Sequence, residues 1–233
     1  MNLVCNLQHR VNVRERWTSF LVQMLDDYRV HVTYDRSGDL WESAKLVLTS
    51  YPKEASHVMV IQDDCLPCKD LIQTVEKLIE FLPDNLITLF SNRDEVLQAR
   101  AEGKSWALLN RLLMAQSYII PKSMIEDFIP FAEKHIKPEI YYDDNRLTLW
   151  ALKNNIKIWT TAPSLVNHQG AFETTIRGGY KKGHNFFDKS RLASWYIGFE
   201  ESGLNIDWTK GLDKPITDRS EGDWAGVCQY YIE

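Results

Sequence analysis

Val58-Met59-Val60-Ile61-Gln62-Asp63-Asp64 is a short apolar run that stops on two carboxylates. Its length and its β-branched content predict a buried strand over residues 57–61. In open α/β sheets, ligands bind beyond the carboxyl ends of strands. An acidic pair at that place is therefore a candidate site. Two adjacent carboxylates repel each other unless something positive sits between or beside them. A hard divalent cation such as Mg²⁺ or Mn²⁺ meets that need through oxygen ligands. It can also bridge phosphates and neutralise charge on a departing diphosphate. The plainer reading of the same residues is a solvated turn followed by a helix cap.

Working outward toward the N-terminus, residues 3–7 read as a first strand. Trp17, Phe20, Leu21, Met24 and Leu25 have helical spacing within residues 13–25. Residues 28–34 alternate as a strand, with Val30 and Val32 on one face. Asp35 to Asp39 supply turn residues, and a helix over residues 40–51 follows. Toward the C-terminus, Pro67 is expected to open a helix over residues 69–81, since proline suits a first helical turn. A strand over 86–90, a loop or short strand over 103–110, a strand over 116–120 and a helix over 124–135 come next. Residues 143–153 read as a helix, 156–160 as a strand and 163–168 as an extended segment. This alternation predicts an α/β sheet with helices on both faces.

After Gly170 the pattern is interrupted by Gly178, Gly179, Gly183 and Gly203, with Trp195, Trp208 and Trp224 spread among them. The expected organisation is a core over residues 1–170 and a C-terminal extension over 171–233 packed on it. The extension is short for a core of its own.

Composition bounds the function. The chain has 233 residues, 44% apolar and 12% aromatic, enough for a packed core and against disorder. A net charge of −5 argues against attachment to nucleic acid by bulk positive charge and leaves a local basic groove open. No apolar run approaches the roughly 18 residues of a membrane span, and the first residues lack signal-peptide features. The chain reads as cytoplasmic, with no membrane partner and no obligate protein partner evident. Four cysteines make no disulfide framework. Cys65 and Cys68 form a C-x-x-C, which reads as a redox pair, half a zinc site, or two small residues packed around a turn at Pro67.

Two further segments carry chemistry. Asp143-Asp144 opens a helix, where a carboxylate caps free N–H groups or acts as a general base on an acceptor hydroxyl. Pro163-Ser164-Leu165-Val166-Asn167-His168 ends on a histidine. A loop histidine is ordinarily a satisfied hydrogen-bonder, and its neutral ring is also a good Mn²⁺ ligand. A third stretch, residues 177–187, interleaves Arg177, Lys181 and Lys182 with glycines and aromatics. It suits closure over a diphosphate, contact with single-stranded or flipped-out nucleic acid, or a plain exposed loop. Diphosphate closure is preferred.

In their order, the strand ending in Asp63-Asp64, the helix opened by Asp143-Asp144 and the P-S-L-V-x-H segment resemble the GT-A glycosyltransferases. The resemblance covers residues 1–170. It is closest to small microbial and phage-type members with a strand-Q-D-D-x-x-P-C motif. It implies a GT-A-like, Rossmann-like mixed sheet flanked by helices, with Mn²⁺ or Mg²⁺ and a nucleotide sugar bound at the acidic motif. That motif has the form D-x-D in the family, and Gln62 stands here where the first Asp would be. The resemblance therefore makes Asp64 the direct metal ligand, Asp63 a ribose or second metal contact, and His168 the residue completing the metal site. Asp144, or Asp143 beside it, matches the base of inverting members.

Asp35 falls where such folds contact the nucleobase. Arg14, Arg16 and Lys45 are candidates to neutralise phosphate, against the alternative of solvated helix faces. Asn92, Arg93 and Trp106 would border sugar and acceptor. Trp106 either stacks on a sugar ring or packs in the core. The implied reaction is hexosyl transfer from a UDP-sugar, UDP-glucose by default, to an acceptor hydroxyl. A cell-surface glycan, a lipid-linked sugar and a hydroxymethylated DNA base are all open as acceptors, the lipid-linked one disfavoured by the lack of a membrane anchor or amphipathic basic helix. The DNA base leads, since similar small phage-encoded enzymes glycosylate modified bases; if phage-encoded, the chain is expected in the host cytoplasm. The rival from another class is a non-catalytic sugar- or nucleic-acid-binding module on the same fold.

Overall fold

The chain begins with β1 (Leu3–Arg10), α1 (Glu15–Leu25), β2 (Val30–Asp35), α2 (Leu40–Thr49) and β3 (His57–Gln62). In this computed structural model the described residues are 2–11, 14–25, 30–36, 38–112, 114–140, 142–169, 192–218 and 230–232. β1 pairs in parallel with β2 on one side and with β3 on the other. The chain thus steps from β1 to β2, then crosses back over β1 to reach β3. The winding direction reverses between β1 and β3, and that reversal opens a crevice at their carboxyl ends.

The rest of the chain supplies β4 (Cys65–Pro67), α3 (Leu71–Phe81), β5 (Ile87–Thr88), α4 (Asp94–Ala101), β6 (Trp106–Leu109) and β7 (Ser117–Pro121). Then come α5 (Lys122–His135), α6 (Asp143–Lys153), β8 (Ile158–Thr161), β9 (Val166–His168), a 3₁₀ turn (Gly203–Asn205) and β10 (Ile216–Thr217). Eight strands form one sheet in the order β10-β6-β8-β5-β7-β3-β1-β2, and β4 pairs with β9 as a separate ribbon. β7 runs antiparallel to both β3 and β5. The fold is a Rossmann-like mixed sheet with six helices among the described residues.

Period-two alternation explains the two cores. Leu3, Cys5, Leu7, Met59 and Ile61 face α1 and α3. Val58, Val60, Tyr118 and Ile120 face α2, α5 and α6. A strand buried on both faces reads as a continuous apolar run, which is why residues 57–61 carry no polar alternation.

Two elements differ from the sequence reading, and a third was left open by it. Pro67 does not open a helix. It ends β4, and the helix starts at Leu71 after Asp70, whose φ of 55° is left-handed and incompatible with a helical turn. α4 was not expected: of its eight residues only Val96 and Ala99 are buried, too few to impose a helical period. Residues 103–110, open between loop and strand, hold β6.

Residues 192–218 return to the sheet. β10 extends it alongside β6, and Trp208 is buried against Trp106, whose Nε1 donates to the Trp208 carbonyl at 2.8 Å.

Candidate active site at the carboxyl edge of the sheet

The Asp63 N–H donates to the Gln8 carbonyl at 3.0 Å, carrying the β1–β3 ladder one step past the strand. The Asp63 side chain is thereby fixed over the crevice and is buried. Oδ2 accepts the Arg10 backbone N–H at 3.0 Å and lies 3.0 Å from His9 Nδ1. Oδ1 accepts from the Arg14 guanidinium. His9 is itself buried, with Nε2 2.5 Å from Glu15 and Nδ1 2.8 Å from the Thr18 hydroxyl. Burial pushes the Asp63 carboxyl up, against the Arg14 charge and the Arg10 amide.

Asp64 Oδ2 lies 3.3 Å from His168 Nε2 and 3.5 Å from Arg14 Nη1. Burial acts to raise this carboxyl too, yet the contact and charge of His168, with Arg14, outweigh it and hold Asp64 below the usual range. The positive group that two adjacent carboxylates require is therefore present in the chain itself: Arg14 touches both. The β4–β9 ribbon explains how His168 arrives. Cys65 is the register partner of His168, and the Gln169 N–H donates to the Asp64 carbonyl at 2.7 Å.

A divalent cation held with substrate phosphates takes one or two protein donors and fills its remaining positions with phosphate oxygens and water. Asp64 Oδ2 and His168 Nε2, facing each other at 3.3 Å, fit that pattern as two donors on one ion. His168 Nδ1 is buried without a hydrogen-bond partner, so no second contact fixes the ring tautomer. Among the described residues no group of three or more His, Cys, Asp or Glu is gathered for a metal, and the other ligands would come from substrate. Asp63, expected as a ribose or second metal contact, has both oxygens engaged by His9, Arg10 and Arg14 in this arrangement.

The second carboxylate pair starts α6. Neither residue is the N-cap; that position is Tyr142, with no side-chain cap bond. Asp144 instead accepts the Met114 N–H at 3.0 Å and the Asn145 N–H at 2.7 Å, tying the loop before β7 to the helix. Burial raises the Asp144 carboxyl against these amides. Burial and the negative charge of Asp144 push Asp143 up to about 7. Tyr118, beneath them on β7, is raised well above its ordinary value, by burial first and then by both carboxylates.

The loop at Met114 joins the two pairs. The Gln116 N–H donates to the Met114 carbonyl and the Gln62 N–H to the Gln116 carbonyl, both at 2.9 Å. Asn92 Nδ2 reaches Met114 Sδ at 3.7 Å. Asp64, His168, Asn92 and Asp144 thus belong to one continuous edge.

Other expected residues fall as follows. Asp35 ends β2 at the same edge, buried, paired with Arg10 at 2.6 Å and accepting the Gly38 N–H at 3.2 Å. Arg16 is exposed on α1. Lys45 does not join the site: it lies midway along α2, held at 2.7 Å by Glu42 and by Glu133 of α5. Arg93 is engaged by Glu95 at 3.2 Å and Asp218 at 3.6 Å, which ties α4 to the chain after β10. Trp106 cannot stack on a sugar. Its side chain is fully buried between Trp159 and Trp208. Arg177, Lys181 and Lys182 lie outside the described residues.

Cys65 and Cys68 are buried in the core beneath α1 and α3. Burial pushes the Cys65 thiol well up and Cys68 to about 12, so neither offers a ready thiolate.

The sequence reading missed His9, although it continues the buried register Leu3, Cys5, Leu7 and so falls on a core face. It also missed Gln116, for which no local pattern signals a role.

No protein-family model matches the chain, and no curated protein does. Among solved structures the chain is similar to A197 from STIV, a virus protein, with a TM-score of 0.51 at 14% identity. The match covers 75% of this chain and 87% of that one. At this identity the likeness is one of fold.

Proposed function

We propose that this protein is a glycosyltransferase that moves a sugar from a nucleotide diphosphate sugar to an acceptor hydroxyl. One observation carries the reading: the facing pair Asp64–His168 and the raised pair Asp143–Asp144 stand on one edge, beside the crevice where the sheet reverses its winding.

In this reading Asp64 and His168 would hold a Mn²⁺ or Mg²⁺ ion, which would supply positive charge to the donor diphosphate. Arg14, already positioned between the carboxylates, supplies a second positive group for the same phosphates. Asp63 is a positioning residue. Locked by His9 and the Arg10 amide, it holds Arg14 at the mouth of the crevice. Asp35, at the end of the neighbouring strand, is placed for the nucleoside.

We assign the proton-accepting role to Asp143 in preference to Asp144. Both Asp144 oxygens are engaged by backbone amides. Asp143 holds its proton to about 7, the range in which a general base is both free and strong enough to act. It takes the proton of the attacking hydroxyl while the diphosphate leaves.

The acceptor proposed first is a hydroxymethylated DNA base, with a glycan hydroxyl second. The test is incubation of folded protein with both acceptors, a nucleotide-sugar panel and Mn²⁺, read by mass. A hexose mass shift that disappears in Asp64→Ala supports the reading. No turnover with any donor, together with binding indifferent to Asp143→Asn, would favour the binding-module alternative.

A further inference from the structure

Three glutamines stand side by side where the central strands end. Gln8 of β1 is the register partner of Gln62 of β3. The Gln62 N–H in turn donates to the Gln116 carbonyl at 2.9 Å. Alternation along each strand puts all three side chains on the face of α2, α5 and α6. Val58 and Val60 precede Gln62 on that face, and Tyr118 and Ile120 follow Gln116 on it. Gln8 confirms the direction, since its amide donates to Ser43 of α2 at 2.8 Å.

The row is unequally satisfied. The Gln62 side chain makes no hydrogen bond among the described residues. Gln116 is only 6% exposed, and its side-chain oxygen is buried with no partner. Leaving a buried amide oxygen unbonded forfeits its hydration with nothing in return. Such atoms are rare enough in native structures that each needs a reason. The backbone of Gln116 stands between the acidic motif and the Met114–Asp144 tie, bonded to the Gln62 N–H on one side and to the Met114 carbonyl on the other. The chemistry of its side chain differs from that of its surroundings. A diphosphate offers only acceptors, which Arg14 answers. A carboxamide offers a donor and an acceptor without charge, the complement of a hydroxyl group.

We propose that Gln62 and Gln116 form a shelf that reads the hydroxyl groups of the transferred sugar, with the Gln116 carboxamide accepting from one of them. This rests on the glycosyltransferase reading. It makes the pair specificity-determining, and it makes Gln62 a hydroxyl reader where a D-x-D motif would carry its first carboxylate.

The test compares UDP, UDP-glucose and UDP-galactose, each titrated with Mn²⁺ into wild type and Gln116→Leu, alongside thermal melting. Wild type should bind all three and separate the two sugars. Gln116→Leu should keep its UDP affinity within about twofold and lose about tenfold for the preferred UDP-sugar, one hydrogen bond's worth. Preference between the epimers should shrink. Tm should hold or rise, since an apolar side chain of similar size removes an unbonded buried atom.

Equal loss of UDP and UDP-sugar, unchanged sugar preference, or a fall in Tm would overturn the shelf while leaving the transferase reading intact. Absence of binding by wild type to any of the three, and to the rest of the nucleotide-sugar panel, would overturn the transferase reading itself, and the shelf with it. Gln116→Met separates packing from hydrogen bonding and should behave as Gln116→Leu does.

Discussion

Asp64 has one carboxylate oxygen facing His168 and Arg14, and its neighbours keep it ionised. Asp64→Ala should lower Mn²⁺-dependent transfer by about 10²–10³-fold, the scale of losing one electrostatic group at a developing charge. Gln62→Ala should only weaken it; initial rates with a UDP-sugar decide. Asp143 makes a prediction in pH. As a base it works when deprotonated, so kcat/KM should climb through about 7, and Asp143→Asn should remove that limb with a loss of about 10²–10⁴-fold. Stability moves the other way. The folded chain binds the Asp143 proton more tightly than the unfolded chain, so stability declines as pH rises from 3.8 to about 7. Denaturant melts across that window should show the slope, and Asp143→Asn should flatten it. At this scale the sequence announced the need for a positive group beside Asp63-Asp64 but not its source. A motif says nothing about a guanidinium delivered by the turn after β1, where Arg14 adopts a φ of 60°. Gln116 was invisible because its meaning depends on a missing partner.

Strands of the central sheet were legible because burial on both faces leaves an apolar run, as in residues 57–61. The β4–β9 ribbon was not. Three residues ending in proline resemble a helix start, and only the pairing with Val166–His168 shows otherwise. Missing that ribbon also hid the reason His168 stands beside Asp64. Trp106 shows the same limit, since a tryptophan near a site stacks or packs according to its neighbours. Trp106→Ala should cost about 3–5 kcal/mol in urea unfolding, whereas Trp106→Phe should leave KM for the nucleotide sugar unchanged. The ribbon gives a further expectation. Cys65→Ala and Cys68→Ala should reduce stability by filling the core less well, with bound metal and turnover per folded molecule preserved. Loss of zinc from purified protein on either change would reinstate the C-x-x-C as a metal site.

For the whole molecule, the reversal of winding between β1 and β3 puts Asp35, Arg10, Asp63 and Asp64 along one rim. The mixed Rossmann-like sheet follows from the sequence alternation, and the likeness to A197 from STIV agrees at the level of fold. A protein that binds donor and cation only when folded gains about 2.7 kcal/mol at a ligand concentration one hundred times Kd. UDP with Mn²⁺ should therefore raise Tm, and EDTA should reverse the rise.

The seat of Arg14 on both carboxylates has a further consequence. The rim carries its own counter-ion, so in the transferase reading a divalent cation would enter by exchange. The guanidinium would then have to leave at least Asp64, and a donor diphosphate would provide its destination. Cation and donor should then bind as a couple, each weakly alone and each tightening the other by the same factor. Replacing Arg14 with a neutral residue should uncouple them: the cation would enter more easily and the donor would hold less well.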